Sequence, residues 1–286
     1  MIDKRLVRPA LPFLATILAM VAFQVGGSFA KGLFPAVGPQ GAATLRLCLG
    51  AVMMLAVVRP WRAWPRDAAL WPVLALGAST AAAILCFYSA LDRLPQGVTI
   101  ALQFLGPLAV ALGGSRRPSD LVWAGLAAVG VWCLVGVRAI DGTLDVVGVL
   151  WALGAAAGWA GYILFGQAAS KGFGSASGAV ATSLAAILVL PVGVAHAGSA
   201  LLTPDLLPLA LLVALFSTAL PFSLELFALK RLPARTFAVL MSLEPVFGVL
   251  SGLVILHERL AGLQLFGVLV VVIAASGASW SGRRAA

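Results

Sequence analysis

From Pro12 to Trp280 the chain is a series of apolar runs separated by short loops. A bilayer core of about 30 Å takes roughly 20 residues of helix. Lipid offers no partner to an open backbone N–H or C=O, so a spanning segment must be a helix or part of a closed barrel. Ten runs have the helical length: 12–30, 39–58, 69–90, 96–113, 120–137, 146–165, 175–195, 206–228, 234–256 and 262–280. The pattern predicts an all-α polytopic membrane protein with ten transmembrane helices.

Composition excludes the alternatives. The chain is 62% hydrophobic and 10% charged, against about 45–50% and about 25% in soluble domains. A solvated surface cannot be built from so few charges. The +9 net charge does not mark a nucleic-acid binder, because the basic residues lie in short groups between apolar runs. Such groups set membrane orientation. Ten spans put both termini on one side. Assigned to the cytoplasm, that side holds Lys4, Arg5, Arg8, Arg59, Arg62, Arg66, Arg116, Arg117, Lys171, Lys230, Arg231, Arg235, Arg283 and Arg284. The opposite loops hold Arg93, Arg138 and Arg259 beside Asp92, Asp141, Asp145, Asp205 and Glu258. The first run follows basic residues as a signal peptide does, but it exceeds the usual signal core and is read as an uncleaved first helix.

The chain also repeats itself. Residues 90–95 read Ala-Leu-Asp-Arg-Leu-Pro and residues 228–233 read Ala-Leu-Lys-Arg-Leu-Pro, 138 positions on. At the same offset Leu102 falls on Leu240, Pro107 on Pro245 and Leu112 on Leu250. Two five-helix repeats are expected, 1–138 and 139–286. An odd number of spans per repeat would invert the second copy relative to the first, an arrangement that suits alternating access. Gly125 and Gly267 align only after a further shift of four residues.

Ionisable groups at membrane depth are costly unless paired or hydrated, which makes them functional candidates. Lys31 ends the first run, Arg46 lies inside the second, Glu225 is late in the eighth and Glu244 sits near the middle of the ninth. Glu244 precedes Pro245, and a proline leaves nearby carbonyls without their helical donor. A carboxylate there suits a proton or an amine; a structural bond to a neighbouring helix is the plainer reading. The first repeat keeps the proline, in Gly106-Pro107, without the charge. Arg46 offers a planar fork suited to a carboxylate, or to a structural ion pair. Uncharged candidates are Gln24 with Ser28, Tyr88, Gln103, Tyr162 with Gln167, and Ser242; Ser217, Thr218 and Ser223 flank Pro221. Each also suits interhelical hydrogen bonding. Pro107, Pro221 and Pro245 are the expected helix breaks. Gly26-Gly27, Gly154 with Gly158 and Gly248 with Gly252 suit close helix packing. Trp61, Trp64, Trp71 and Trp280 suit interface anchoring.

No metal or cofactor is expected. Cys48, Cys86 and Cys133 sit in apolar runs without ligand spacing, and His196 and His257 lack companions. No glycine loop followed by Lys-Ser/Thr suggests ATP drive. Clustered catalytic groups of a membrane enzyme are also missing from the pattern.

Several stretches resemble the bacterial threonine/homoserine exporter group of the EamA-type drug/metabolite transporter superfamily. They are Gln-Val-Gly-Gly-Ser-Phe-Ala-Lys-Gly-Leu-Phe-Pro (24–35), Thr-Leu-Arg-Leu (44–47), Phe-Leu-Gly-Pro-Leu-Ala-Val-Ala-Leu (104–112), Ser-Thr-Ala-Leu-Pro-Phe-Ser-Leu-Glu (217–225) and Arg-Leu-Pro-Ala-Arg-Thr-Phe with Leu-Met-Ser-Leu-Glu-Pro (within 231–245). The resemblance implies ten helices, two inverted repeats and the inner membrane. It also implies export of threonine, homoserine and similar small amino acids by proton antiport, by a monomer or homodimer. Its members differ in substrate, so cysteine-pathway metabolites, aromatic amino acids, purines and cationic drugs are the alternatives. Both signs of charge at membrane depth suit a zwitterion better than a cationic drug. A zwitterion would set its carboxylate on Arg46 and its ammonium or hydroxyl on Glu244, Ser242 or Gln103.

Overall fold

Backbone satisfaction in lipid demands continuous helix, and the computed structural model is helical apart from short turns. It describes residues 4–65, 68–113, 118–140, 145–229, 231, 240–241 and 243–281. The helices are α1 (Lys4–Lys31), α2 (Phe34–Val58), α3 (Trp71–Leu91), α4 (Gln96–Gln103), α5 (Leu105–Gly113), α6 (Pro118–Ile140), α7 (Val146–Phe173), α8 (Ser177–Ala197), α9 (Leu207–Ala214), α10 (Leu220–Leu229), α11 (Glu244–Ile255) and α12 (Gly262–Ser281). Between α9 and α10 the chain widens into a π turn over Leu215–Ala219.

Local chemistry sets several boundaries. Gly38 takes φ 67° before Pro39 and kinks the start of α2. Asp145 caps α7 by accepting the Gly148 N–H at 2.8 Å. Its carboxyl is held below the ordinary aspartate range, first by that bond and then by Arg93, which pairs with it at 3.1 Å.

The expectation of ten spanning helices in two inverted five-helix repeats is corrected here. Among the described residues, five stretches are long and apolar enough to cross a membrane: Leu11–Lys31, Phe34–Arg62, Trp71–Leu91, Val146–Leu202 and Pro204–Glu225. The stretch Val146–Leu202 contains α7 and α8. The apolar helices at Gln96–Val110, Val122–Leu134, Glu244–Ile255 and Gly262–Gly277 are shorter. A count of apolar residues is blind to backbone interruption. The run 96–113 turns at Phe104 between α4 and α5, and the run 234–256 restarts as a helix at Glu244. The expected boundary at 138/139 falls inside the last turn of α6. In the second copy of the repeated motif, only Arg231 of Lys230–Pro233 lies among the described residues. The all-α polytopic membrane class stands.

Packing relies on small residues, because lipid removes the hydrophobic drive between helices and leaves close contact to hold them. On α7, a Cβ at Gly158 would meet Ala83 N at 2.6 Å and one at Gly154 would meet Cys86 Sγ at 3.0 Å. These glycines seat α7 on α3. Gly130 of α6 and Gly267 of α12 approach each other's carbonyls in the same way. Helix α1 packs against α9, the π turn, α10 and α11, so its side chains face the middle of the assembly. Trp61, Trp64 and Trp71 lie exposed at the ends of α2 and α3.

Candidate functional site

Pro221 lacks an N–H, so it cannot bond to the carbonyl four residues back, that of Ser217. Arg46 supplies the missing donor: its Nη2 donates to Ser217 O at 2.9 Å, and its Nε points to Thr218 Oγ1 at 3.4 Å. Two glycines permit the approach. A Cβ at Gly26 of α1 would strike the Ser217 side chain and lie 2.8 Å from its N, and one at Gly50 of α2 would lie 2.9 Å from Thr218 Cγ2. The π turn therefore presses against α1 and α2 where Arg46 emerges. Such turns recur at functional sites.

Arg46 is 3% exposed. Its guanidinium lies 4.9 Å from the Phe23 ring centre and 5.6 Å from that of Tyr88, contacts that favour a cation. One arm remains open. Arg46 Nη1, Tyr88 Oη and Ser217 Oγ are buried polar atoms without a hydrogen-bond partner. Native interiors rarely leave such groups unsatisfied. The guanidinium and two residues it contacts, Tyr88 and Ser217, thus each carry one open polar atom.

The acidic side of the site is Glu244. It is the first residue of α11, with Pro245 next, positions where a proline loses nothing and a carboxylate complements the helix dipole. Gln24 Nε2 donates to Glu244 Oε1 at 3.0 Å. Glu244 lies within reach of the Arg46 charge, and Glu225 of α10 lies within reach of Glu244 and of the Tyr162 phenol. Both glutamates keep part of their surface accessible although the chain encloses them.

A second polar cluster sits at the far end of α1. Lys31 Nζ donates to Glu258 Oε1 at 2.8 Å, and the Gln96 backbone N–H donates to Glu258 Oε2 at 2.7 Å. Gln96 is the first residue of α4, so its N–H is one of the donors that a helix start leaves open. After α11, His257 adopts φ 53° and Glu258 N donates to Gly252 O at 3.0 Å. That turn folds Glu258 back over the bundle. The Gln96 side chain runs inward: Nε2 donates to Gln24 O at 3.0 Å and lies 3.4 Å from Gln24 Oε1. Its Oε1 accepts from Ser28 Oγ at 2.8 Å, and Ser28 lies 2.6 Å from Ser251 Oγ.

The structure thus brings together Arg46, Tyr88, Gln24, Glu244 and Glu225 around the centre. Gln103 stands nearby, accepting from Trp159 Nε1 at 3.1 Å; Trp159 packs edge-on against Phe23. Lys31 is apart, in the Glu258 cluster. Pro221 lies at the π turn and Pro245 in the first turn of α11, whereas Pro107 lies within α5. Ser242 is outside the described residues. Sequence reasoning missed Gln96, Ser251 and the inward reach of Glu258. Gln96 follows the repeated Leu-Pro motif at the start of an apolar run, which is a usable signal; nothing in the sequence separates Glu258 from the other loop acids. Among the described residues no group of three metal-ligating side chains occurs.

Buried charges of both signs, enclosed by polytopic apolar helices, suit a membrane transporter. The chain belongs to the EamA-like transporter family, whose family model matches residues 146–280, and it is a multi-pass secondary transporter of the inner membrane, not an enzyme. The threonine/homoserine exporter RhtA of Salmonella typhimurium strain LT2 is 44% identical over 274 residues, covering 96% of this chain and 93% of that protein. RhtA of Escherichia coli K12 is 42% identical over the same length and coverage. The uncharacterized transporter YwfM of Bacillus subtilis strain 168 is 29% identical over 256 residues, 85% of this chain and 86% of that protein. A crystal structure at 20% sequence identity shares the fold with a TM-score of 0.60, over 94% of this chain and 97% of its own.

Proposed function

We propose that this transporter exports threonine, homoserine and similar small amino acids by proton antiport. The observation that carries the reading is the open arm of buried Arg46 within charge range of Glu244. The similarity to RhtA supplies the substrate class. An amino-acid carboxylate accepts from Arg46 Nη1, and its ammonium faces Glu244, with Glu225 as a second acid. Glu244 then alternates between the ammonium and a proton: a proton arriving on the carboxylate weakens its hold on the ammonium and releases the substrate. Gln103 accepts from Trp159, which packs on Phe23 beside Arg46, and Ser242, two residues before Glu244, is a further candidate. The termini face the cytoplasm, as the loop charges favour, and the working unit is a monomer or homodimer.

Counterflow of labelled threonine in proteoliposomes, with and without a pH gradient, tests this. The expected result is saturable exchange competed by homoserine, accelerated by a gradient, with Glu244→Gln losing the gradient response. Wild-type protein that moves neither amino acid would refute the substrate. A folded Glu244→Gln protein that still drives uphill export would remove Glu244 as the proton carrier.

A further inference from the structure

We propose that Gln96 couples the state of Glu244 to a latch formed by Lys31 and Glu258, so that the latch closes one end of the transport path while Glu244 is free and ionised. The proposal rests on the transport reading above and adds a residue that reading does not use.

The latch joins three separate pieces of chain. Lys31 ends α1, Gln96 opens α4, and Glu258 follows α11. The glutamate satisfies a lysine with one oxygen and a helix-start N–H with the other, so both of its bonds are charge-assisted. It lies over Gly252, where a Cβ would come within 2.6 Å of Glu258 Oε2. No part of this cluster touches Arg46.

Gln96 belongs to both clusters through different atoms. Its backbone N–H holds Glu258, while its side-chain Nε2 donates to the Gln24 backbone carbonyl at 3.0 Å and lies 3.4 Å from Gln24 Oε1. Gln24 has one amide with two ends. With Nε2 on Glu244 Oε1, its Oε1 turns toward Gln96 Nε2. An ionised Glu244 can only accept, which fixes that orientation of Gln24. A proton or a substrate ammonium on Glu244 competes for the accepting oxygen. Gln24 is then free to rotate, Gln96 Nε2 loses its contact with Gln24 Oε1 and keeps only the Gln24 backbone carbonyl, and the start of α4 is held less firmly against Glu258. Ser28 braces the Gln96 amide, and Ser251 bonds Ser28 and the Gln24 backbone carbonyl, so the connection is short and lies on packed helices. Gln96 is a positioning residue; it is not a substrate ligand.

Gln96→Ala separates the two connections, since it keeps the backbone N–H on Glu258 and removes the bridge to Gln24. A cysteine at Gly27 is the reporter: its Cβ would sit 3.7 Å from Gln96 Nε2 in ordinary contact, beneath the latch. Cys48, Cys86 and Cys133 are first replaced by alanine. Labelling by a membrane-impermeant maleimide is followed in whole cells. Glu244→Gln is expected to raise the labelling rate about ten-fold, the equilibrium effect of one lost charge-assisted bond. Gln96→Ala is expected to abolish that difference. Lys31→Met is expected to give fast labelling with either residue at 96.

Equal responses to Glu244→Gln with and without the Gln96 side chain would overturn the coupling. No increase with Lys31→Met would overturn the latch. Hydrogen exchange at the Gln96 amide, with Gly27 in place, gives the same comparison should the cysteine variant not fold. Threonine counterflow on the same proteins separates the two readings: coupling can fail while transport persists, and the substrate can be wrong while labelling still responds.

Discussion

Arg46 has two candidate employers, the Ser217 carbonyl and the substrate carboxylate, and Arg46→Lys tells them apart. Lysine keeps the charge, but its three donors radiate from one nitrogen, which cannot take the places of Nη2 and Nη1 together. It can serve Ser217 O or a ligand, whereas arginine serves Ser217 O through Nη2 and leaves Nη1 open. The variant therefore loses one charge-assisted bond to the ligand, worth about 1.5–3 kcal/mol. At 1.4 kcal/mol per factor of ten, the half-saturating threonine concentration rises about 10- to 100-fold. The assay is counterflow against concentration, beside thermal melting in detergent. A half-saturation within about two-fold of wild type would mean that Arg46 only serves the backbone. Pro221→Ala adds a second arm. Alanine at 221 returns an N–H to Ser217 O and relieves Arg46 of its structural duty. Arg46→Met leaves that carbonyl open at a cost of about 1–3 kcal/mol, and Pro221→Ala should restore the melting temperature. Transport should stay lost. Recovery of transport together with stability would refute a substrate role for Arg46.

Tyr88→Phe removes a buried phenol that has no partner. If it reads the substrate hydroxyl, preference for threonine over 2-aminobutyrate falls about ten-fold, the effect of one hydrogen bond, with no loss of thermal stability; unchanged preference excludes that role. Gly106→Ala drives a methyl into the Ala156 backbone between α5 and α7 and should cost about 1–3 kcal/mol of stability, as overpacking does. Gly125→Ala, with nothing within 4 Å, is the matched control, and equal melting of the two would refute the packing account. Asp145 has a lowered carboxyl pKa in the fold, so its contribution is full above the ordinary aspartate value of about 3.9 and fades as pH falls through the lower folded value. The melting gap between wild type and Asp145→Ala should therefore be wider at pH 6 than below that range; a constant gap would exclude the charged cap.

How much was legible depended on whether a signal survives projection onto one dimension. A charge inside an apolar run is visible at once, and Arg46, Glu225 and Glu244 do meet electrostatically. The Arg46 acceptor was also within reach of sequence logic. Pro221 disables the carbonyl four residues back, and that residue is Ser217. Counting helices failed for the opposite reason. Hydropathy sums side chains, while a span depends on unbroken backbone, and neither the turn at Phe104 nor the restart at Glu244 changes the sum. Glu258 escaped because loop charges were read as a vote on orientation, which is indifferent to where a side chain points.

The residues of α1 connect these results. Gln24, Ser28 and Lys31 are spaced by four and three positions, so they form one polar stripe along a helix face. Gln24 meets Glu244, Ser28 meets Gln96 and Lys31 meets Glu258. Phe23, next to the stripe, covers the guanidinium of Arg46, and Gly26 admits the π turn. Each contact alone reads as interhelical glue. Their common helix gives them a further consequence. A shift of α1 along its axis cannot change the bond to Glu244 without also straining the pair with Glu258, because about 10 Å of rigid helix separates Gln24 from Lys31 at 1.5 Å per residue. Glu244 and Glu258 thus bear on one rigid helix as well as on Gln96. Loss of the latch response in Gln96→Ala assigns the coupling to the amide bridge, and a response retained there assigns it to a shift of α1 and overturns the role of Gln96.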